Sequence, residues 1–386
     1  NKPFIYLDSA STSQKPQKVI DTISSYYNSY TANVHRALYS IGEKATDEYE
    51  NVRLLVKKML NVPDSHSVIF TSGTTESINL IAYSWGLKNL KKADNVLITE
   101  MEHHSNIIPW QLITKKTNSS LNYIPLSNNG TLNTESMNEQ LLSSTKIISI
   151  SHQSNVFGTI NPIKNIIDKA KNMDILTLID GAQAVPHLKV NLAELDSDFY
   201  VFSGHKMLGP TGVGVLIGRN ELLEKMDPFL GGGEMINKVN MHESTWNEIP
   251  WKFEAGTPKV AQVIGLGAAI KYLMNIGLEN IHNHEQGLLQ YALDILEQNE
   301  NIILYGNPPE RGAVIPFNLK NIHAHDLAKF LDLDGICIRA GHHCAQPIMD
   351  YLNVSSTARI SMNIYNDEND IDILAAGIKK TISTLN

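Results

Sequence analysis

The chain has 386 residues, of which 42% are hydrophobic and 19% charged, and its formal net charge is −8. That length exceeds a single small core and suits two or three domains, with a composition ordinary for a globular enzyme. The acidic balance, without any Lys/Arg block, argues against nucleic acid as a partner, and no apolar run approaches a membrane span or opens the chain as a secretory signal, so no membrane association is expected.

The chain opens at Asn1 and runs at once into the apolar stretch 4–7, so a preceding segment is expected. Residues 43–60 follow, with Ala45, Tyr49, Val52, Val56 and Met59 on one face at helical spacing. Stretches 67–70, 95–99, 146–150, 175–179, 199–202 and 213–217 read as buried strands. Strands alternating with helices predict a mostly parallel α/β sheet, whose ligands collect beyond the carboxyl ends of the strands. A boundary region spans 227–258, with the Gly231–Gly233 triplet, Pro250 and Pro258. A helix at 261–274 then leads to strands at 313–318, 335–339 and 357–361 with helices at 326–331 and 368–382, a smaller α+β unit.

Chemistry-bearing residues fall at those strand ends. Thr71-Ser-Gly-Thr-Thr-Glu76 follows a strand and opens a helix, predicted at 77–85, so free N–H groups and the positive helix end face a phosphate, with Thr74 and Thr75 adding hydroxyls. The same pattern is also that of a plain capped helix start. Glu102-His103-His104 ends the next strand; His103 suits stacking on a flat ring or a loop hydrogen bond, and adjacent histidines point apart, so no metal is expected. Asn155 suits a cofactor oxygen or a substrate carboxylate, or simply a turn. Asp180 and Lys206 close two separate apolar runs and can face one cofactor: pyridoxal phosphate needs an amine for a Schiff base and an acid partner for its ring nitrogen. Lys206 is flanked by apolar Val201, Phe202, Met207 and Leu208, where desolvation lowers an amine pKa, and Ser203 and His205 are further phosphate donors. Arg339 and Arg359 can each grip a carboxylate in bidentate fashion. Cys344 follows Gly341-His-His in a loop, where a neighbouring cation favours thiolate over an inert thiol. Cys337, between Ile336 and Ile338, reads as an inert core thiol. These are the only two cysteines, too poorly placed on one strand-and-loop segment for a disulfide; a reducing compartment is expected.

In order along the chain, Tyr6-Leu-Asp-Ser-Ala10, Asn33-Val-His-Arg36, Thr71–Glu76, Glu102-His-His104, Ser154-Asn-Val156, Asp180-Gly-Ala-Gln183, Ser203-Gly-His-Lys206, Gly209-Pro-Thr-Gly-Val-Gly214, Phe253-Glu-Ala-Gly-Thr-Pro258 and Arg339-Ala-Gly-His-His-Cys344 make the sequence resemble the cysteine desulfurases of the class V aminotransferase superfamily, on their SufS-type (group II) branch. The resemblance implies the PLP-dependent fold type I: a large domain with a mostly parallel seven-stranded sheet (residues 12–262) and a smaller α+β domain carrying the catalytic cysteine (1–11 and 263–386). It implies removal of sulfur from L-cysteine, giving L-alanine and a persulfide on Cys344 for iron–sulfur cluster assembly, with selenocysteine lyase or another class V lyase as the alternative. Lys206 would carry the pyridoxal 5'-phosphate and move the substrate's α-proton. Asp180 would pair with the ring nitrogen, Gln183 with the ring hydroxyl, and His103 would stack on the ring. Thr74, Thr75, Ser203 and His205 would hold the phosphate, and Asn155, Arg339 and Arg359 the substrate side. Thr257 would reach the phosphate of the other subunit, implying a homodimer with shared active sites. A sulfur acceptor of the SufE/SufU type and a cytoplasmic location are implied, or an organelle matrix if a targeting segment is removed. The usual His-Arg-Gly-x-His reads His35-Arg-Ala-Leu-Tyr39 here, and family members usually carry an additional N-terminal helix that is not in the sequence as given.

Overall fold

The computed structural model describes residues 4–385. Among these, the main element is a seven-stranded sheet in the order His66–Thr71, Gly214–Arg219, Phe199–Ser203, Leu176–Asp180, Thr145–Ser151, Asn95–Thr99, Ser120–Ile124. Gly214–Arg219 runs antiparallel to both its neighbours, and the remaining pairings are parallel. The strand residues alternate between two cores. Ile69, Val96, Ile98, Ile147, Leu178, Val201 and Leu216 pack on one side. Val68, Phe70, Leu97, Ile148, Ile179, Phe202 and Val215 pack on the other. Burial on both faces is why these strands read as continuous apolar runs. The edge strand Ser120–Ile124 escapes that reading: its pattern is mostly exposed or half-buried, and only Ile124 is buried.

The helix expected at 43–60 spans Ser40–Leu60 and ends at Asn61 in the left-handed conformation. It buries Ala45, Tyr49, Val52, Val56 and Leu60 and packs against the helix Val260–Ile276, which is apolar nearly all round. A second helix, Leu278–Glu297, follows after Gly277 at a bend of 75°. Among the described residues no single helix is long and apolar enough to cross a membrane. The helix after Thr71–Glu76 begins earlier than expected, at Thr74, and passes at Ala82–Gly86 into a wider turn. The region 227–258 carries a short antiparallel hairpin, Ile236–Val239 with Ser244–Trp246.

A four-stranded antiparallel sheet lies beyond, ordered Ile302–Leu304, Val314–Leu319, Thr357–Ser361, Arg339–Gly341. The single strand expected at 335–339 is in fact two. Ile336–Cys337 pairs in parallel with Ile5–Tyr6, and Arg339–Gly341 joins the four-stranded sheet, because the chain changes partners after Cys337. Cys337 is accordingly half-buried rather than a core thiol. Around this sheet Ile315, Phe317, Ile360, Leu327 and Leu374 form a third core together with Ile5 and Leu7. The helix Gln346–Leu352 points elsewhere: Ala345, Ile348 and Met349 enter the core under the large sheet. The segment bearing Cys344 is thereby strapped to the large sheet.

Candidate active site

A cavity of about 490 Å³ opens at the carboxyl ends of the parallel strands. It is lined by Thr74, Thr75, His103, Asn155, Asp180, Gln183, Ser203, His205, Lys206, Arg339, Cys344 and Arg359. Of the residues singled out in the sequence, Thr257 lies outside it, on an exposed stretch beside Tyr49, Phe70 and Gly256.

One end of the cavity suits a phosphate. Ser203 ends a central strand, and its Oγ accepts from the Thr74 backbone N–H (2.9 Å) and lies 2.8 Å from Thr74 Oγ1. Thr75 Oγ1 pairs with Ser105 Oγ at 2.7 Å. These hydroxyls stand at the positive end of the helix Thr74–Ile81. Gly214, paired with Thr71 on one side and Ser203 on the other, permits this closeness: a Cβ there would stand 2.4 Å from Gly73 Cα. His205 lines the same end. Burial, with Lys206 and Lys15 adding to it, holds its imidazole down at about 4, so it is neutral. The His205 carbonyl accepts from Ser13 N, Ser13 Oγ, Thr12 Oγ1 and Lys15 Nζ at 3.0, 3.0, 3.1 and 2.9 Å, which fixes the turn Gly204–Lys206.

At the centre, burial pushes the Lys206 amine down from the ordinary lysine range; the Asp180 charge opposes this and Arg359 adds to it. Burial also pushes the Asp180 carboxyl up, against the Ala182 N–H at 2.9 Å and the Lys206 charge. A buried acid raised in this way is satisfied by a cationic N–H, which is what a protonated pyridine offers. His103 is held down at about 3, first by burial and then by Lys206. Its Nδ1 accepts from Ser105 N–H (3.1 Å), so the ring is neutral with its proton on Nε2. Gln183 gives one N–H to the Ala10 carbonyl (2.7 Å), while its buried Oε1 has no partner. One amide N–H and the oxygen are left for a ring hydroxyl. Phosphate end, amine, acid, neutral imidazole and free amide together fit pyridoxal phosphate.

The far side suits a carboxylate. Arg359 is buried; it donates to the Asn155 carbonyl (2.8 Å) and to Asp8 Oδ1 (2.8 Å), and its Nε has no partner. Arg339, opposite Arg359 across the strand pair, is exposed and bonds Ser11 Oγ and Asp8 Oδ2 (3.1 Å). Asn155 Nδ2 donates to the His343 carbonyl at 2.7 Å, tying this wall to the cysteine loop. Cys344 is exposed at the mouth, near enough for its charge to raise the Lys206 amine and the Arg359 guanidinium.

Several contributors carried no role in the sequence reading. Asp8 orients both arginines, yet it lies 351 residues from Arg359, and only its place in Tyr6–Ala10 marked it. Glu102, preceding His103 in the chain, is fully buried and accepts from Thr99 Oγ1, Asn106 Nδ2 and Ser151 N. Gln153 lines the cavity with neither amide atom partnered.

The model of the aminotransferase class-V family matches residues 5–374. A protein of Halalkalibacterium halodurans described as a probable cysteine desulfurase is 51% identical over 379 residues, covering 98% of this chain and 93% of that protein. One of Staphylococcus aureus with the same description is 50% identical over 381 residues, covering 98% and 92%. Among solved structures, the cysteine desulfurase CsdA of Escherichia coli superposes with a TM-score of 0.93 at 34% identity, over 99% of this chain and 96% of that one. The apo cysteine desulfurase of Thermococcus onnurineus does so with a TM-score of 0.95 at 34% identity, over 99% and 95%.

Proposed function

The chain belongs to the class V aminotransferase family and is a PLP-dependent cysteine desulfurase, and on that premise we propose that it moves sulfur from L-cysteine to Cys344 through the roles given below. The observation that carries the assignment of roles is the convergence of Lys206, Asp180, Arg359 and Cys344 on one cavity from distant parts of the chain. Pyridoxal phosphate, when bound, supplies the aldehyde that takes an amine and the protonated ring that delocalises the charge left at Cα. Thr74, Thr75, Ser203 and His205 would hold its phosphate, Asp180 would keep the proton on its ring nitrogen, Gln183 would meet its hydroxyl and His103 would pack against its ring.

Arg359 and Asn155 orient the substrate carboxylate, with Arg339 at the mouth. Lys206 Nζ, favoured as a neutral amine by burial, takes the proton from the substrate Cα. Cys344 Sγ then attacks the substrate sulfur: the Cβ–S bond breaks, an S–S bond forms, and the electron pair stays with Cβ. That carbon gains a proton to become the methyl of alanine, Cα regains the proton it lost, and the thiol ends as a persulfide.

We further assign the chain to the SufS-type branch, on its Gly341-His-His-Cys344 run, with a SufE/SufU-type acceptor taking the exposed persulfide into iron–sulfur cluster assembly. Thr257, exposed and outside its own cavity, supports a homodimer in which it reaches the second copy's phosphate. The domain division at 12–262 against 1–11 with 263–386 is proposed on the two sheets and the separate core that includes Ile5 and Leu7. Both cysteines are free, which supports a reducing compartment, here the cytoplasm.

The test is Cys344→Ser. It should keep the visible absorbance of the lysine-linked cofactor and lose alanine formation from cysteine; turnover equal to the unmodified enzyme refutes the assignment. Lys206→Ala should lose that absorbance.

A further inference from the structure

The backbone of the cysteine loop is held in an unfavourable shape. His343 and Cys344 are consecutive non-glycine residues with φ of 52° and 56°. Such residues persist in the left-handed region only where their surroundings over-determine them. Within the loop, a turn from Ala345 N to His342 O (2.9 Å) is local. From outside, the His343 ring meets Thr357 Oγ1 at 2.8 Å, Ala345 packs into the core under the large sheet, and His104 supplies two further hydrogen bonds. The His104 backbone N–H donates to the Cys344 carbonyl at 2.7 Å, and the His104 Nε2 accepts the Gln346 N–H at 3.0 Å. A single side chain and its own peptide group thus bracket the segment from Cys344 to Gln346. On the other flank Asn155 Nδ2 holds the His343 carbonyl. His104 opens the turn His104–Asn106, whose Asn106 is buried against Glu102 and Ser149, so the bracket is mounted on a rigid base. It also follows directly on His103 in the cavity wall.

We infer that His104 is a positioning residue for Cys344: its imidazole, as a hydrogen-bond acceptor, clamps the start of the helix Gln346–Leu352 and keeps the thiol loop poised over the cavity. The inference rests on the reading of Cys344 as the sulfur acceptor. It assigns His104 no contact with substrate, cofactor or the reacting sulfur atoms. The backbone half of the bracket survives any side-chain change, so the imidazole half is separable by mutation. Glutamine places an acceptor oxygen at about the reach of Nε2, whereas leucine fills similar space with none.

The experiment compares wild type, His104→Leu and His104→Gln as holoenzymes. Hydrogen exchange of the peptide covering 342–352 and steady-state kinetics with cysteine are followed together. His104→Leu should speed exchange at the Gln346 amide by roughly fivefold and lower kcat by about five- to tenfold, with KM for cysteine and the cofactor absorbance unchanged, because one hydrogen bond and the thiol's alignment are lost. His104→Gln should recover most of both. Gln346→Pro removes the donor instead of the acceptor; Pro is tolerated at a helix start, and the variant should show the same loss of kcat should His104→Leu fold poorly. Exchange and kcat of His104→Leu equal to wild type overturn the inference, as does a glutamine variant as impaired as the leucine one. Exchange does not depend on turnover, so alanine formation persisting in Cys344→Ser would sink the proposed function while leaving the bracket standing.

Discussion

Gly214→Ala tests the phosphate end of the cavity most directly. The added Cβ would meet Gly73 Cα at 2.4 Å and Gly73 C and N at 2.8 Å, all backbone atoms that cannot rotate away. Ordinary contact begins at 3.4 Å, so the loop must retreat by about 1 Å. Gly214 is paired with both Thr71 and Ser203, so that retreat opens the gap between the Thr74 N–H and the Ser203 hydroxyl, now 2.9 Å apart. Overpacking of this kind costs about 1–3 kcal/mol. Losing alignment of one charge-assisted donor to the phosphate costs about 1.5–3 kcal/mol, which is roughly a ten- to hundredfold fall in affinity. The assay is titration of cofactor-free protein with pyridoxal phosphate, followed by visible absorbance, with a thermal melt alongside. Gly212→Ala is the control. Alanine there strains a positive φ (74°), which Gly214 does not have, but its Cβ meets nothing within 4 Å, so it should lower stability without changing cofactor affinity. If Gly214→Ala binds the cofactor within twofold of wild type, the close approach of these strands does not shape the site.

Three further outcomes follow from the same structure. Burial raises Glu102 from 4.5 to about 7, so Glu102 itself contributes stability that is lost as pH rises from about 4.5 through 7, against the opposite trend of buried imidazoles such as His103 and His205. In denaturant titrations the stability of wild type minus that of Glu102→Gln should therefore fall across that range, and parallel wild-type and variant curves would refute the shift. Arg359→Lys loses the unpartnered Nε and the fork that also engages Asp8 and the Asn155 carbonyl, so KM for cysteine should rise about tenfold or more while the cofactor absorbance stays; an unchanged KM removes Arg359 from carboxylate binding. Glu254→Ala should destabilise by about 1–3 kcal/mol, because the Phe70 N–H loses its acceptor and the buried Arg53 loses one of its two carboxylate partners, keeping Glu50 at 2.8 Å. A melting temperature equal to wild type would count against that network.

Much of this architecture could be read along the chain because it is local. The strands buried on both faces appear as apolar runs, and the residues just past Thr71, Asp180 and Ser203 inherit a place at the cavity from the strands they follow. The edge strand Ser120–Ile124 lacked that signal because little of it is buried. Tertiary structure alone decided the rest. It reversed Gly214–Arg219 within a parallel sheet, split 335–341 between two pairings and set Asp8 between Arg339 and Arg359. It also turned His104 onto the cysteine loop and left Thr257 outside the cavity. These facts depend on which surfaces meet when distant segments pack. Periodicity along one segment records that a face is buried, and carries no record of what covers it.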